Sequence, residues 1–401
     1  MIFSLLKKGL VLCLLAGLAL ALLVGGYIGV LAVSRRAVQA LPAPSGPYAV
    51  GRTELDWTDP ARSDPLVEQA DLPRELAIWI WYPAQADASQ ATAPYFPPAW
   101  AQARNQDQGV GILIERELTK LQTHSYENAP LASTQATYPV LIMEPGLGPA
   151  ISDYTVLAEN LASHGYIVVG INPTYSSNLV VFPDGRVVTR SDMGTIPDSA
   201  TRQELDQIGN SLLAVWAKDV SFVLDRLQSL NASPGSTFEQ RLDLEQVGVF
   251  GHSFGGATAL AFCEQDPRCK AGADLDGTTF SSETGTSLPV PFLVMSEDYS
   301  TGCDWNCAAL RQIAGLGQPG TVYDLSVQGA RHFNFGDLPL RIVPAARPLL
   351  QAAGYAGSID PARGEQIASA YLLAFFDKHL RNMDSGLLDG PSSLYPEVQF
   401  H

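Results

Sequence analysis

The sequence predicts an α/β fold: a mostly parallel central sheet with helices on both faces, preceded by an N-terminal transmembrane or signal helix. Three observations predict it. From Tyr138 onward, short and continuously apolar runs alternate with amphipathic stretches, the pattern of buried parallel strands joined by crossover helices. The run "VGVFGHSFGGATAL" (247–260) sets a Gly-rich turn between an apolar run and a string of helix formers. Residues 9–33 carry no charged side chain and are bracketed by Lys7-Lys8 and Arg35-Arg36.

Taken in order, that first run is about 37 Å long as a helix, enough to cross a hydrocarbon core of about 30 Å. A signal anchor fits this length better than a cleaved signal peptide, whose apolar region spans about 7–15 residues. The rival reading is cleavage after "VQA" (38–40), which has small-residue character. Residues 1–40 are therefore assigned to the anchor or signal and linker, and residues 41–401 to one catalytic-sized domain. Residues 41–75, rich in Pro, Asp and Arg, read as a linker and irregular lead-in. "ELAIWIWYP" (75–83) is a strand by its β-branched and aromatic content. "GILIERELTKLQTH" (111–124) reads as a charged, solvated helix.

The regular alternation follows. "YPVLIM" (138–143) is a buried strand, residues 152–165 a helix, "YIVVGI" (166–171) a strand, and 179–189 a hairpin turning at Asp184-Gly185. Residues 210–230 form a long amphipathic helix with Leu213, Trp216, Val220, Val223, Leu224 and Leu227 on one face. Strands are expected at 271–276, 290–295 and 321–327, and helices near 304–315 and at 361–380. The last of these is capped by Asp360, with Pro361 in its first position.

Composition narrows the function classes. A net charge of −16 without clustered Lys or Arg excludes nucleic acid as a partner, because phosphate neutralisation needs basic patches. Four cysteines follow the apolar segment. Cys263, Cys269, Cys303 and Cys307 suggest two disulfides in an oxidising compartment, the local pairing being the simplest of three connectivities. Their spacings lack the CxxC pairs of zinc sites, so no metal is expected. The globular part is placed outside the cytoplasm, membrane-anchored or secreted.

The chemistry centres on Ser253. Gly-x-Ser-x-Gly is weak by itself, but strand, motif and helix in sequence form the context in which a strained turn presents a nucleophile. The helix that starts behind Ser253 offers amide donors and a favourable dipole to a developing oxyanion. A serine needs a base, and the base an orienting acid. Of six histidines, His332 in "GARHFNF" (329–335) falls in the loop after the last predicted strand, at the same sheet edge as Ser253. For the acid, Asp276 ends the strand "AGADLD" and Asp298 follows the next strand. Fold logic alone favours Asp298. The backbone N–H groups of Leu147, in the Gly-rich loop 144–150, and of Phe254 are the natural oxyanion donors. His252, inside the motif, reads as structural.

"GVFGHSFGGATA", "AGADLDG", the "GLG" at 146–148, "ASHGYIV" (162–168) and "GPYAVGRTELDWTDPAR…ELAIWIWYP" together resemble the plasma-type platelet-activating factor acetylhydrolases, over about residues 46–380. The resemblance implies an α/β-hydrolase fold and a serine esterase that needs no cofactor. It implies Asp276, on the "LD" closing the strand, as the acid beside Ser253 and His332, with Leu147 and Phe254 as oxyanion donors. One departure stands out: Glu144-Pro145 occupy the place of the family's Ser-His pair before Gly-Leu-Gly. The implied substrates are short-chain acyl esters, phospholipid sn-2 esters among them, with the membrane reached through the N-terminal segment. The alternatives are a polyester or dienelactone-type hydrolase of the same fold, and a non-catalytic binding module built on it.

Overall fold

The computed structural model of the chain describes residues 2–69, 71–85, 90–107, 111–280, 288–300, 302–303, 305–318 and 320–401. In chain order, helix α1 (Ile2–Arg36) precedes strands β1 (Ala49–Ser63), β2 (Pro73–Ala84), β3 (Leu121–Glu127) and β4 (Tyr138–Glu144). Helix α2 (Thr155–Ser163), strand β5 (Ile167–Asn172), helix α3 (Arg202–Ala232), strand β6 (Leu242–His252) and helix α4 (Phe254–Gln265) follow. Strands β7 (Cys269–Leu275) and β8 (Phe292–Ser296), helix α5 (Trp305–Ala314), strand β9 (Val322–Val327), helix α6 (Pro361–Arg381) and strand β10 (Val398–Phe400) complete the body. Residue 304, expected at the start of the α5 helix, lies outside the described residues.

These ten strands run β3-β1-β2-β5-β4-β6-β7-β8-β9-β10 in one sheet, and the short strands Gln39–Ala40 and Thr92–Pro94, both paired with β3, bring it to twelve among the described residues. From β5 through β9 every pairing is parallel; β2 joins this block antiparallel at β5, and β10 closes the other edge antiparallel on β9. Every residue of β4 and β5 is buried, because helices cover both faces. Val140, Ile142 and Val249 pack toward α3, while Leu141, Met143 and Phe250 pack toward α2 and α6. A capping box at Thr201 and Glu204 starts α3, and the Asp360 carboxylate accepts the Ala362 and Arg363 amides to start α6. The expected hairpin forms at Leu179–Val181 and Val187–Thr189.

Two expectations are corrected. Residues 41–75 are not an irregular lead-in: β1 is a 15-residue strand antiparallel to β2. Its Asp, Pro and Arg content obscured buried positions on both faces, Val50 and Arg52 on one and Trp57 and Asp59 on the other, and Pro60 sits where the register shifts between Asp59 and Ser63. The helix expected over 111–124 is a single turn at Gly111–Ile114, a 3-10 turn at Leu118–Lys120, and then β3. "LQTHSYE" (121–127) buries Leu121, Thr123 and Ser125 in period two, and the Glu159 carboxylate accepts the His124 and Ser125 amides. Tertiary pairing outweighs the local helix preference there.

Helix α1 is long and apolar enough to cross a membrane and exposes most of its leucines. Its last turns are seated on the body. Tyr27 Oη donates to the Ala345 carbonyl (2.9 Å), and Leu31 packs with Ile342, Val343 and Ala346. Arg35 Nε donates to the Glu115 carbonyl (2.8 Å), and Arg116 Nη1 donates to Ser34 O (2.9 Å). The four downstream cysteines pair locally, Cys263 with Cys269 and Cys303 with Cys307. The first bridge ties the end of α4 to the start of β7.

Candidate active site

Strand β6 ends at His252 and α4 begins at Phe254, so Ser253 alone makes the turn. Its φ of 56° and ψ of −120° lie in a region that non-glycine residues rarely occupy. The neighbouring glycines make this turn possible by close approach. A Cβ at Gly255 would collide with the Glu144 carbonyl at the end of β4, and one at Gly256 with the Asp274 carboxylate. Ser253 N–H continues the sheet ladder by donating to Leu275 O (3.0 Å).

Three predicted residues meet at this edge. His332 Nε2 lies 3.0 Å from Ser253 Oγ, and His332 Nδ1 lies 2.6 Å from Asp276 Oδ2. Asp276 is buried and follows β7 directly, with φ 50°. Its other oxygen accepts the Glu297 amide (2.8 Å). The Glu297 carboxylate in turn accepts the His332 amide (3.0 Å), so the loops that carry Asp276 and His332 brace each other. Asp298 does not join them. Its oxygens accept the amides of Ser300 (2.8 Å) and Gly329 (2.7 Å), which makes it a brace for the loop that carries His332.

Burial works against charge on the His332 ring, but the Asp276 hydrogen bond and the Asp276 and Glu297 charges outweigh it and hold its pKa above the ordinary histidine range. Burial, with Asp276 nearby, pushes the Glu297 carboxyl up. His252 behaves oppositely. Burial first, then the nearby His332, drives it well below the ordinary range and keeps it neutral.

The neutral His252 ring has a structural job. Gly146 N–H donates to Tyr154 Oη (3.0 Å), which lies 2.8 Å from His252 Nδ1, while His252 Nε2 lies 2.9 Å from the His332 carbonyl. The network is satisfied when Tyr154 Oη donates to Nδ1 and Nε2–H donates to the carbonyl. It ties the 144–150 loop to the loop that carries His332. Leu147 follows directly, and a Cβ at Gly146 would stand 3.3 Å from Ser253 Cβ. The Leu147 and Phe254 amides donate to no backbone acceptor among the described residues, whereas the Gly148 amide is used by Ser176 O. Glu144 is buried, and desolvation first, with Asp219, pushes its carboxyl well above the ordinary range against the pull of Arg74.

A cleft of about 510 Å³ opens over Ser253 and His332. Its lining includes an apolar cluster, Leu147, Ile196, Leu205, Phe254 and Phe280, and the polar residues Glu297, Tyr299 and Asn306. Beside the base loop, Phe335 is core and Phe333 packs edge-on against the His332 ring. Sequence reasoning missed Tyr154, Glu297 and Phe280. Tyr154 was hidden on the apolar face of its helix, and Glu297 stood beside the more conspicuous Asp298. Nothing local marked Phe280. Among the described residues no group of His, Cys, Asp and Glu is arranged to hold a metal ion.

The likenesses agree with this geometry. The sequence profile of the family described as platelet-activating factor acetylhydrolase, isoform II, matches residues 33–389. The chain is 28% identical to a probable 1-alkyl-2-acetylglycerophosphocholine esterase of Arthroderma benhamiae, over 90% of this chain and 93% of that one. It is 26% identical to the platelet-activating factor acetylhydrolase of Cavia porcellus, over 89% and 83%. Cutinase est2 of Thermobifida alba is 25% identical over 49% of this chain and 53% of its own. The solved structure of a ferulic acid esterase from Streptomyces cinnamoneus superimposes with a TM-score of 0.74 and 31% identity, covering 91% of this chain and 99% of that chain. An esterase neighbour that superimposes over nine-tenths of the chain, and a profile that spans nearly all of the body, lead to one assignment: the chain belongs to the platelet-activating factor acetylhydrolase, isoform II, family and is a carboxylic-ester hydrolase of the α/β-hydrolase fold.

Proposed function

We propose that Ser253 is the nucleophile, His332 the general base and Asp276 the acid that orients it, hydrolysing short-chain acyl esters through an acyl-enzyme. The observation that carries this reading is the hydrogen-bonded chain from Asp276 through His332 to Ser253, 2.6 and 3.0 Å in its two links, at the floor of the cleft. His332 takes the Ser253 proton as Oγ attacks the ester carbonyl, and the tetrahedral oxyanion is met by the Leu147 and Phe254 amides. Each such donor is worth about 2.7–4 kcal/mol to the transition state. Collapse breaks the ester C–O bond, and His332 returns the proton to the leaving alcohol. A water then gives its proton to His332 and attacks the acyl carbonyl, releasing the acid and restoring Ser253. Asp276 stays ionised throughout and steadies the imidazolium.

Phospholipid sn-2 esters are the proposed substrates of this class, with the names of the fungal and animal relatives as support. A fluorophosphonate that labels wild-type protein but not Ser253→Ala supports the nucleophile; equal labelling of both refutes it. Rates on p-nitrophenyl esters of increasing acyl length test the substrate class. A steep preference for two to four carbons supports it. A flat or long-chain profile favours the second reading, a polyester hydrolase, whose support is the partial likeness to cutinases.

The localisation reading is an uncleaved anchor with the body, residues 41–401, outside the cytoplasm. The seat of α1 supports it, since cleavage after Ala40 would strip away the Tyr27, Leu31 and Arg35 contacts. The two disulfides support an oxidising compartment. Full-length intact mass and retention in membranes through an alkaline wash are expected; a mature chain starting near Leu41 refutes the anchor.

A further inference from the structure

The cleft over Ser253 has a neighbour. Between α3 and α4 lies a second cavity of about 500 Å³, with Leu213, Ala214, Ala217, Leu260 and Ala261 among its walls. Thr278 and Phe280 line both spaces, so the segment that carries them separates one from the other. Phe280 is the large group in that partition and is only 5% exposed.

Its seat is built from three sides. The ring lies on Gly209 of α3, where a Cβ would collide with it, so only glycine admits the ring at that depth. On the catalytic side it meets Phe254, with ring centroids 5.2 Å apart, and Phe254 in turn packs on Trp216 at 4.7 Å. The backbone is held as well: Asn210 Nδ2 donates to the Phe280 carbonyl at 2.7 Å. Phe280 is thus fixed to α3 by a side chain and by a complementary hollow one residue apart.

The catalytic geometry says which part of a substrate meets it. His332 protonates the leaving alcohol, so the alcohol lies on the His332 side, where the Glu297 carboxylate accepts the His332 amide. The acyl chain is left to the apolar lining, where Ile196 and Leu205 pack in the same hydrophobic cluster as Phe254 and Phe280. We propose that Phe280 is the acyl-length selector: its ring ends the acyl pocket, and the cavity between α3 and α4 is the space that longer acyl chains would need. This rests on the short-acyl reading of the site and names the residue that enforces it.

The test compares kcat/KM for p-nitrophenyl esters of two, four, eight and twelve carbons in the full-length wild type, Phe280→Ala and Phe280→Leu. Each preparation is normalised by fluorophosphonate titration. One methylene accepted or rejected by an apolar pocket is worth about ten- to two-hundredfold. The eight-to-two-carbon ratio should therefore rise at least about tenfold in Phe280→Ala, mainly through a lower KM for the longer ester, and by less in Phe280→Leu. A ring that serves only to stabilise the fold would lower all esters together and leave the ratio fixed. A steep wild-type profile with an unmoved ratio in both folded variants overturns the selector alone. A wild type without chain-length preference overturns the short-acyl reading and the selector with it.

Discussion

Replacing Asp276 by Asn tests its proposed role as the acid, because the structure dictates how the amide must sit. Asp276 Oδ1 accepts the Glu297 N–H at 2.8 Å, so in the variant the amide oxygen is held there. The NH2 group then faces His332 Nδ1, at the position of the 2.6 Å contact, and can only donate. His332 must accept at Nδ1 and carry its proton on Nε2, which points at Ser253 Oγ and can no longer take the serine proton. Loss of the correct tautomer is expected to lower kcat by about 10⁴ with the fold intact, the size of effect seen when a triad aspartate becomes asparagine elsewhere. Asp298→Asn is the control. It exchanges one acceptor for a donor between the Ser300 and Gly329 amides, costs about 1–3 kcal/mol of stability, and should leave kcat within about tenfold. The assay is steady-state p-nitrophenyl acetate hydrolysis, with folding checked by circular dichroism. Asp276→Asn within tenfold of wild type, or Asp298→Asn falling as far, would refute the assignment of the acid.

Further predictions concern the base, the loops and the frame. The base must be neutral, and its pKa lies above the ordinary value of about 6.5. The acid limb of kcat/KM should therefore have its midpoint above 6.5, with activity lost as pH falls through it; Glu297→Gln removes one of the charges that raise it and should move the midpoint down. Tyr154→Phe leaves the Gly146 amide and His252 Nδ1 without their partner, and about 1–3 kcal/mol of stability should be lost together with part of kcat but not KM. Arg74→Met strands the Asp64 carboxylate in the interior and leaves Asp219 with Arg62 alone, which should cost about 3–5 kcal/mol in urea unfolding at neutral pH. Replacing both Cys263 and Cys269 by Ser opens a six-residue link and should cost about 2 kcal/mol, read as a lower calorimetric melting temperature with activity retained.

The parallel half of the sheet was legible because burial on both faces writes each strand as an unbroken apolar run, as in "YPVLIM" and "VPFLVM". The antiparallel half was less so. In β1 the buried positions include Arg52 and Asp59, residues that read as surface until their partners are known: Glu54 and the Pro94 carbonyl for one, Arg62 for the other. β3 was hidden by good helix formers just before it, and its pairings with β1 and with Thr92–Pro94 fix it as a strand. Ser253 and His332 could be read from local pattern and chain order. Glu297 and Phe280 could not, since their roles depend on which loops meet over the sheet edge.

The choice between Asp276 and Asp298 follows from where each strand stops. His252 and Leu275 are register partners at the ends of β6 and β7, so Ser253 and Asp276 are the first residues past the sheet on adjacent strands. Both adopt positive φ, 56° and 50°, a conformation that costs about 1–3 kcal/mol in a non-glycine residue unless its surroundings enforce it. The enforcement is visible. Each amide stays in the ladder, Ser253 N–H on Leu275 O and Asp276 N–H on Met295 O, while the chain beyond turns sharply away. Two side chains are thereby lifted off neighbouring strand ends toward the same imidazole. Asp298 lies two residues past the end of β8, after the chain has already bent toward Gly329, and its carboxylate is spent on that bend. Asp276, the proposed acid, thus stands on the strand beside Ser253, where the sheet itself holds both groups at the spacing that one histidine ring can bridge.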